Sequence, residues 1–211
     1  MSDVDTSPAP SQMQTLDWSS GKPLGVSNQG EVKRFELNGH PLAIKATKGW
    51  GLLRHLRQKN LGREFQAYQR LDGIAGFPRC HGLINDAWLV LDFVPGQSIR
   101  DAAIENRAEF FDCLLRTIQQ MHEAGVAHGD LKRKSNILVD QRQQPVIIDL
   151  GTAVLRPERP FPLRQRLFDF VRQTDLNAWV KLKYGGYEGV STADRQYLRR
   201  SRIEQWLSRL R

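Results

Sequence analysis

The sequence predicts an α+β protein of two lobes, a small β-sheet lobe with one helix followed by a mainly helical lobe. Three observations carry this. Short β-like runs dominate the first part of the chain and are interrupted by a single helical stripe. A Pro95-Gly96 pair closes the last of those runs. Beyond it the apolar spacing is helical, apart from two short runs around a polar turn. The regular strand–helix alternation of a parallel-sheet fold is missing.

The elements follow in order. Residues 1–20 are rich in Ser, Pro, Asp and Gln and read as a disordered lead-in, with neither the basic start nor the apolar stretch of a secretion signal. Segment 31–46 holds two β-like runs around Asn38-Gly39, a dipeptide that favours hairpin turns. Between Gly51 and Leu71, the residues Leu61, Phe65, Tyr68 and Leu71 recur at helical spacing. AWLVLDFV (87–94) is a buried strand, so the sheet lobe spans 21–94 and the helical lobe 95–211. Phe110, Leu114, Ile118, Met121 and His122 mark a second amphipathic helix over 109–123, stopped by Gly125; Cys113 and Met121 fall on its apolar side. NILVD and PVIID then form a hairpin. From about Leu163 the chain is helical and Arg-rich, broken by Gly185-Gly186, with a last helix expected over roughly 194–210.

At 211 residues the chain can bury one good-sized core or two small lobes, and 40% hydrophobic with 26% charged residues is ordinary for a globular protein. Two cysteines, Cys80 and Cys113, form no metal spacing and no disulfide framework, so a reducing cytoplasm is expected. No apolar run approaches a membrane span. The net charge of +8 is lopsided: residues 156–211 carry thirteen Arg and Lys against six acids, or +7. Such a tail suits an anionic partner, or is simply a set of solvated helix faces.

The residues with chemistry fall in a telling order. GVSNQGEV (25–32) places Gly25, Ser27, Asn28 and Gly30 where backbone must come close to a ligand, and Val32 follows. LAIK (42–45) sets Ala43 and then Lys45 at the end of a β-run; read alone, it is an ordinary strand ending in an exposed lysine. Glu64 lies beside the stripe of the next helix, where it can pair with Lys45. HGDLKRKSNIL (128–138) supplies His128, Asp130, Lys132 and Asn136, and IIDLG supplies Asp149. Phosphoryl transfer from ATP needs such parts: a close-fitting backbone cover, a cation on the phosphates, oxygen ligands for Mg²⁺ and a carboxylate that orients the attacking hydroxyl.

With these motifs the chain resembles the protein-kinase-like superfamily over residues 25–151. The family pattern G-x-G-x-x-G-x-V is met with Ser27 in the middle glycine position, LAIK matches VAIK, HGDL matches HRDL and DLG matches DFG. The resemblance implies that Lys45 binds the α- and β-phosphates with Glu64 as its partner, and that Gly25, Ser27, Asn28, Gly30, Val32 and Ala43 belong to the ATP site. LVLDFVPG (89–96) resembles the hinge, so the backbone of Asp92 and Val94 would meet adenine and Leu91 would line the back of its pocket. Asp130 would orient the acceptor hydroxyl and Lys132 would neutralise the transferring group. Asn136 and Asp149 would hold Mg²⁺. His128 reads better as a packing residue than as a base. Two departures stand out. Asp130 to Asn136 is six positions where the family has five, so the loop must bulge near Lys132. Gly129 replaces the arginine that receives an activation-loop phosphate in the family.

There is no A-P-E motif, and only 18 residues separate Gly151 from Phe170. The resemblance therefore implies a truncated helical lobe, most similar to the small bacterial kinases of lipopolysaccharide core heptose or Kdo. Those act at the cytoplasmic membrane face, which sets the expectation of a cytoplasmic protein, peripheral on the inner membrane. Its acceptor would be an anionic glycolipid or core oligosaccharide, met by Arg164, Arg166, Arg172, Lys181 and Lys183, while Trp179, Tyr184 and Tyr187 would stack on sugars, sit at the membrane interface or simply pack the helix. An atypical RIO/Bud32-like Ser/Thr protein kinase and a non-catalytic nucleotide-binding module are the other readings; nucleic acid is not expected.

Overall fold

The computed structural model describes residues 17–27, 30–47 and 51–199, excluding the side chains of 26, 27, 52 and 53. The chain forms two compact units. The first runs to Gly73, resumes over Phe77–Pro95 and takes in Asp149–Gly151, while the second holds Ile74–Gly76, Gly96–Ile148 and the chain after Thr152.

The first unit is built on β1 (Lys22–Ser27), β2 (Gly30–Leu37), β3 (His40–Thr47), β4 (Cys80–Ile84) and β5 (Trp88–Asp92), with helix α1 (Gly51–Arg70). The strands form one antiparallel sheet in the order β1-β2-β3-β5-β4. Asn38 and Gly39 both have positive φ, 52° and 80°, as a two-residue hairpin turn requires. Register then sorts the two faces of the sheet. One buries Phe35, Leu42, Ile44, Ile84 and Val90, closed at the edge by Trp18 and Trp88. Trp18 lies 5.5 Å from both the Phe35 and Trp88 rings and takes Lys33 over its own. Asp17–Ser20, placed in the lead-in by the sequence, thus form a capped turn that seals this core.

The second unit holds helices α2 (Arg107–Glu123) and α3 (Pro162–Tyr184), the three-stranded sheet β6 (Gly96–Ser98), β8 (Ile137–Asp140) and β9 (Pro145–Ile147), and the pair β7 (Val126–Ala127) and β10 (Val154–Leu155). Asn106 caps α2: its Oδ1 accepts from the Glu109 N–H while its Nδ2 donates to the Glu109 carboxylate. Pro162 opens α3, and Gly185 closes it at φ 72°. Arg107 donates to the Leu182 and Lys183 carbonyls, placing a cation on the unsatisfied end of α3. Trp179 is fully buried and donates its indole N–H to the Phe111 carbonyl at 2.8 Å, pinning α3 to α2.

Three expectations are corrected here. Trp179 is core and cannot stack on a sugar. Cys113 is only half-buried, its thiol 3.2 Å from Gln144, whereas Met121 is core as read. Over the described residues, the final segment is a short 3-10 turn at Asp194–Tyr197 followed by extended Leu198; residues 200–211 lie outside the description.

Candidate functional site

In the first unit the sheet register places candidate residues in rows. Gly25 pairs with Val32, Val32 with Lys45 and Lys45 with Leu89; Ala43 pairs with Leu91 in the next row of the same face. Val32, Ala43, Lys45, Leu89 and Leu91 therefore share the face opposite the Phe35 core. Gly30 is dictated by packing, because a Cβ there would lie 2.0 Å from the Ala46 carbonyl oxygen. At Gly25 a Cβ would meet nothing. The Ser27 side chain and Asn28 lie outside the description. At the hinge, Asp92 gives its N–H to the Arg79 carbonyl, so a ligand would have to use the Asp92 carbonyl instead. Its carboxylate lies 2.6 Å from His81 Nε2. Val94 is half-buried.

Lys45 is only 6% exposed, so the reading of an exposed lysine at a strand end is wrong. Its Nζ lies 2.8 Å from Glu64 Oε2, 3.1 Å from Glu64 Oε1 and 2.8 Å from Asp149 Oδ1. Glu64 is 1% exposed because α1 turns it inward with Leu61, Ala67, Tyr68 and Leu71. Burial pulls the Lys45 pKa down, but the negative charges of Glu64 and Asp149 more than reverse this, so it sits above the ordinary lysine value. Two carboxylates face one ammonium, and the more accessible of them, Asp149, is 35% exposed. Asp149 itself sits at φ 62°, a conformation costly for a residue with a Cβ. Tyr68, four residues past Glu64 and 2% exposed, is a member of this cluster that sequence reasoning took only for core. Burial, then the Glu64 and Asp149 charges, push its phenol well above the ordinary value, so it remains neutral.

In the second unit the loop after β7 is organised by a residue that the sequence reading did not single out. Asp175 on α3, 1% exposed, accepts from the N–H groups of His128 and Gly129 at 2.7 and 2.9 Å and pairs with His122 Nε2 at 3.1 Å. His128 Nδ1 accepts from the Asp130 N–H, which leaves its Nε2 to donate to the Ile148 carbonyl at 3.0 Å. His128 thus holds the loop and is not a base. Gly129 has φ 81°, and a Cβ there would press to 3.2 Å from the Thr152 carbonyl oxygen, so this backbone excludes the family's arginine.

The extra residue between Asp130 and Asn136 is taken up by two successive turns. Arg133 N–H bonds to the Asp130 carbonyl, and Asn136 N–H bonds to the Arg133 carbonyl, ending in a 3-10 turn over Lys134–Asn136. Asn136, 4% exposed, still reaches Asp130: its Nδ2 is 3.1 Å from the Asp130 carbonyl and 3.4 Å from Oδ2. Lys132 is exposed. The six-residue spacing therefore leaves the Asp130–Asn136 contact intact.

Of the tail cations, Lys183 is engaged, 2.9 Å from Asp194 and 3.4 Å from Asp112, and Tyr184 donates to Asp194. Arg164, Arg166, Arg172 and Lys181 remain exposed, while Tyr187 is half-buried.

A family model described as protein kinase domain matches residues 18–163. The chain is 36% identical over 93 residues to an O-antigen chain terminator bifunctional methyltransferase/kinase of Escherichia coli, covering 41% of this chain and 13% of that protein. It is 28% identical over 155 residues to the serine/threonine-protein kinase ppk21 of Schizosaccharomyces pombe, covering 68% of this chain and 28% of that one. To the serine/threonine-protein kinase PKH1 of Saccharomyces cerevisiae it is 25% identical over 161 residues, 71% of this chain and 21% of the relative. The chain thus spans less than a third of the length of these relatives. With the family model covering more than half of its length and a sheet-plus-helix fold beneath the motifs, the chain belongs to the protein kinase domain family.

Proposed function

We propose that this chain is an ATP-dependent kinase that phosphorylates a hydroxyl on an anionic sugar acceptor of the lipopolysaccharide-core type. The observation that carries the phosphotransferase part is the Lys45–Glu64–Asp149 cluster. A buried lysine kept charged by two carboxylates is a fixed cation for phosphate oxygens, and the partly exposed Asp149 carboxylate suits a divalent cation. Asn136 and Asp149 offer hard oxygen donors, the chemistry Mg²⁺ takes. Mg²⁺, when bound, neutralises the charge of the phosphates.

The chain's own residues do the rest. Glu64 keeps the Lys45 ammonium aimed, so that no reorganisation is needed when phosphate arrives. Val32, Ala43 and Leu91 give one apolar face for the base. Asp130 accepts the hydrogen bond of the attacking hydroxyl, and the Asn136 amide holds the loop that carries it.

The sugar reading draws support from two features. Residues 152–161 are all that lies between the DLG turn and α3, so the chain is short where peptide-directed kinases build a docking platform. Exposed Arg164, Arg166, Arg172 and Lys181 supply positive charge for an anionic glycan. The E. coli relative, an O-antigen chain terminator bifunctional methyltransferase/kinase, points the same way. A Ser/Thr protein acceptor is the second reading, favoured by the yeast relatives. Incubating the pure protein with γ-labelled ATP, Mg²⁺ and a panel of core oligosaccharides and generic proteins separates them. Label in oligosaccharide supports the first reading, and label confined to protein replaces it with the second.

A further inference from the structure

The largest exposed apolar side chains of the second unit lie together on the first turns of α3. Leu163 is 71% exposed, Leu167 50%, Phe170 54% and Phe161, just before the helix, 51%. At about 100° per residue, Leu163, Leu167 and Phe170 fall within roughly 60° of one another, which makes a stripe and not a scatter. Arg166 borders it on one side and Arg164 on the other, both exposed, and Arg164 stacks over the Phe161 ring at 5.4 Å. Among residues 158–172, Arg159, Arg164, Arg166 and Arg172 are exposed against the acids Glu158 and Asp169, and Asp169 lies 4.0 Å from Arg172. The opposite side of the helix buries Phe168, Asp175 and Trp179.

We infer that this stripe is a peripheral membrane contact that inserts Leu163, Leu167 and Phe170 among the acyl chains of an anionic bilayer while the flanking arginines meet its headgroups. An apolar ridge between cations fits an interface that is oily within and negative at its surface. A second copy fits poorly. Side chains of this size offer on the order of 400 Å², about half of what one partner gives to a stable dimer. A symmetric contact would also set arginine borders against arginine borders. No helix among the described residues is long and apolar enough to cross a membrane, so the contact would lie in the surface plane. The inference goes beyond the proposed activity and holds whichever acceptor is used.

The test is co-sedimentation of the full chain with phosphatidylcholine vesicles, with and without phosphatidylglycerol, beside two double variants. The wild type should bind the anionic vesicles at least about tenfold more tightly than neutral ones, and salt should weaken that binding. Leu163→Glu/Phe170→Glu should lose binding by at least about tenfold. Arg164→Gln/Arg166→Gln should lose the preference for anionic lipid. Both should keep the wild-type unfolding temperature, since these side chains are exposed, and Leu163→Glu/Phe170→Glu should also keep activity on a water-soluble acceptor. No binding by the wild type, or full binding by Leu163→Glu/Phe170→Glu, overturns the inference. So does a dimer in sedimentation velocity that this variant abolishes, which would assign the stripe to a second copy.

Discussion

In the sheet unit Lys45, Glu64 and Asp149 are held by charge, in contacts of 2.8–3.1 Å buried against α1. In the helical unit Asp130 is held by geometry: the His128 and Gly129 N–H groups end on the buried carboxylate of Asp175, while His128 Nδ1 and the Asn136 amide bond to the Asp130 backbone. On the proposed function, one region keeps a cation aimed at the phosphates, so its ion pair is the working part. The other keeps the Asp130 carboxylate on a hydrogen-bonded loop, so its working group takes little part in the scaffold. Charge-neutral substitutions should therefore damage the first region, and backbone or hydrogen-bond substitutions the second.

The sharpest breaks should come at the reacting ends. Asp130→Ala and Asp149→Ala should each cut turnover by about 10³-fold or more while far-UV circular dichroism stays native. Lys45→Met should cost about 10²–10³ in rate, the effect of deleting one preorganised charge. It should also destabilise the fold by about 3 kcal/mol, because the buried Glu64 carboxylate then loses the ammonium that faces it. Adding Glu64→Gln should recover most of that stability and none of the rate, as urea denaturation and single-turnover kinetics would show. Asp175→Ala removes the acceptor of two backbone N–H groups and should cost about 3 kcal/mol, with turnover falling only through the misplaced loop. Gly129→Ala should cost about 1–2 kcal/mol for its left-handed backbone.

The smallest effect is one of pH. The Lys45 pKa is raised on folding, so its contribution to stability is in full force below the unfolded lysine value and is lost only as pH rises through the folded one. The difference in unfolding temperature between wild type and Lys45→Met/Glu64→Gln, which leaves no buried Glu64 carboxylate to titrate, should stay flat from about pH 6 to about pH 9. A steep change in that window would show that Lys45 is not charged as described.

How much of this was legible follows from distance along the chain. The β2–β3 hairpin was readable because Asn38-Gly39 sits between its runs, and α2 because its stripe is regular. Strand β1 was not, since Pro23 and Gly25 look like loop residues, and β4 hides behind Gly82 at φ 140° and a register shift beside it. β7 and β10 are two residues each and exist only because they pair with one another. Lys45, Glu64, Asp130, Asn136 and Asp149 came from motif order. Asp175 could not, because its partners lie 46 to 53 positions away and it stands in a helix that drew attention for its cations and aromatics. The six-residue spacing was visible, but how it is absorbed was not. That depends on which carbonyl accepts from Arg133 and Asn136.

That long reach from Asp175 back to His128 and Gly129 has a bearing on how the protein becomes competent during its own synthesis. The segment bearing Asp130 leaves the ribosome well before the carboxylate that moulds it. A nascent polypeptide released ahead of residue 175 would carry every signature motif and still lack the anchor for its working loop. On the proposed roles, competence thus waits for α3 to be made and docked.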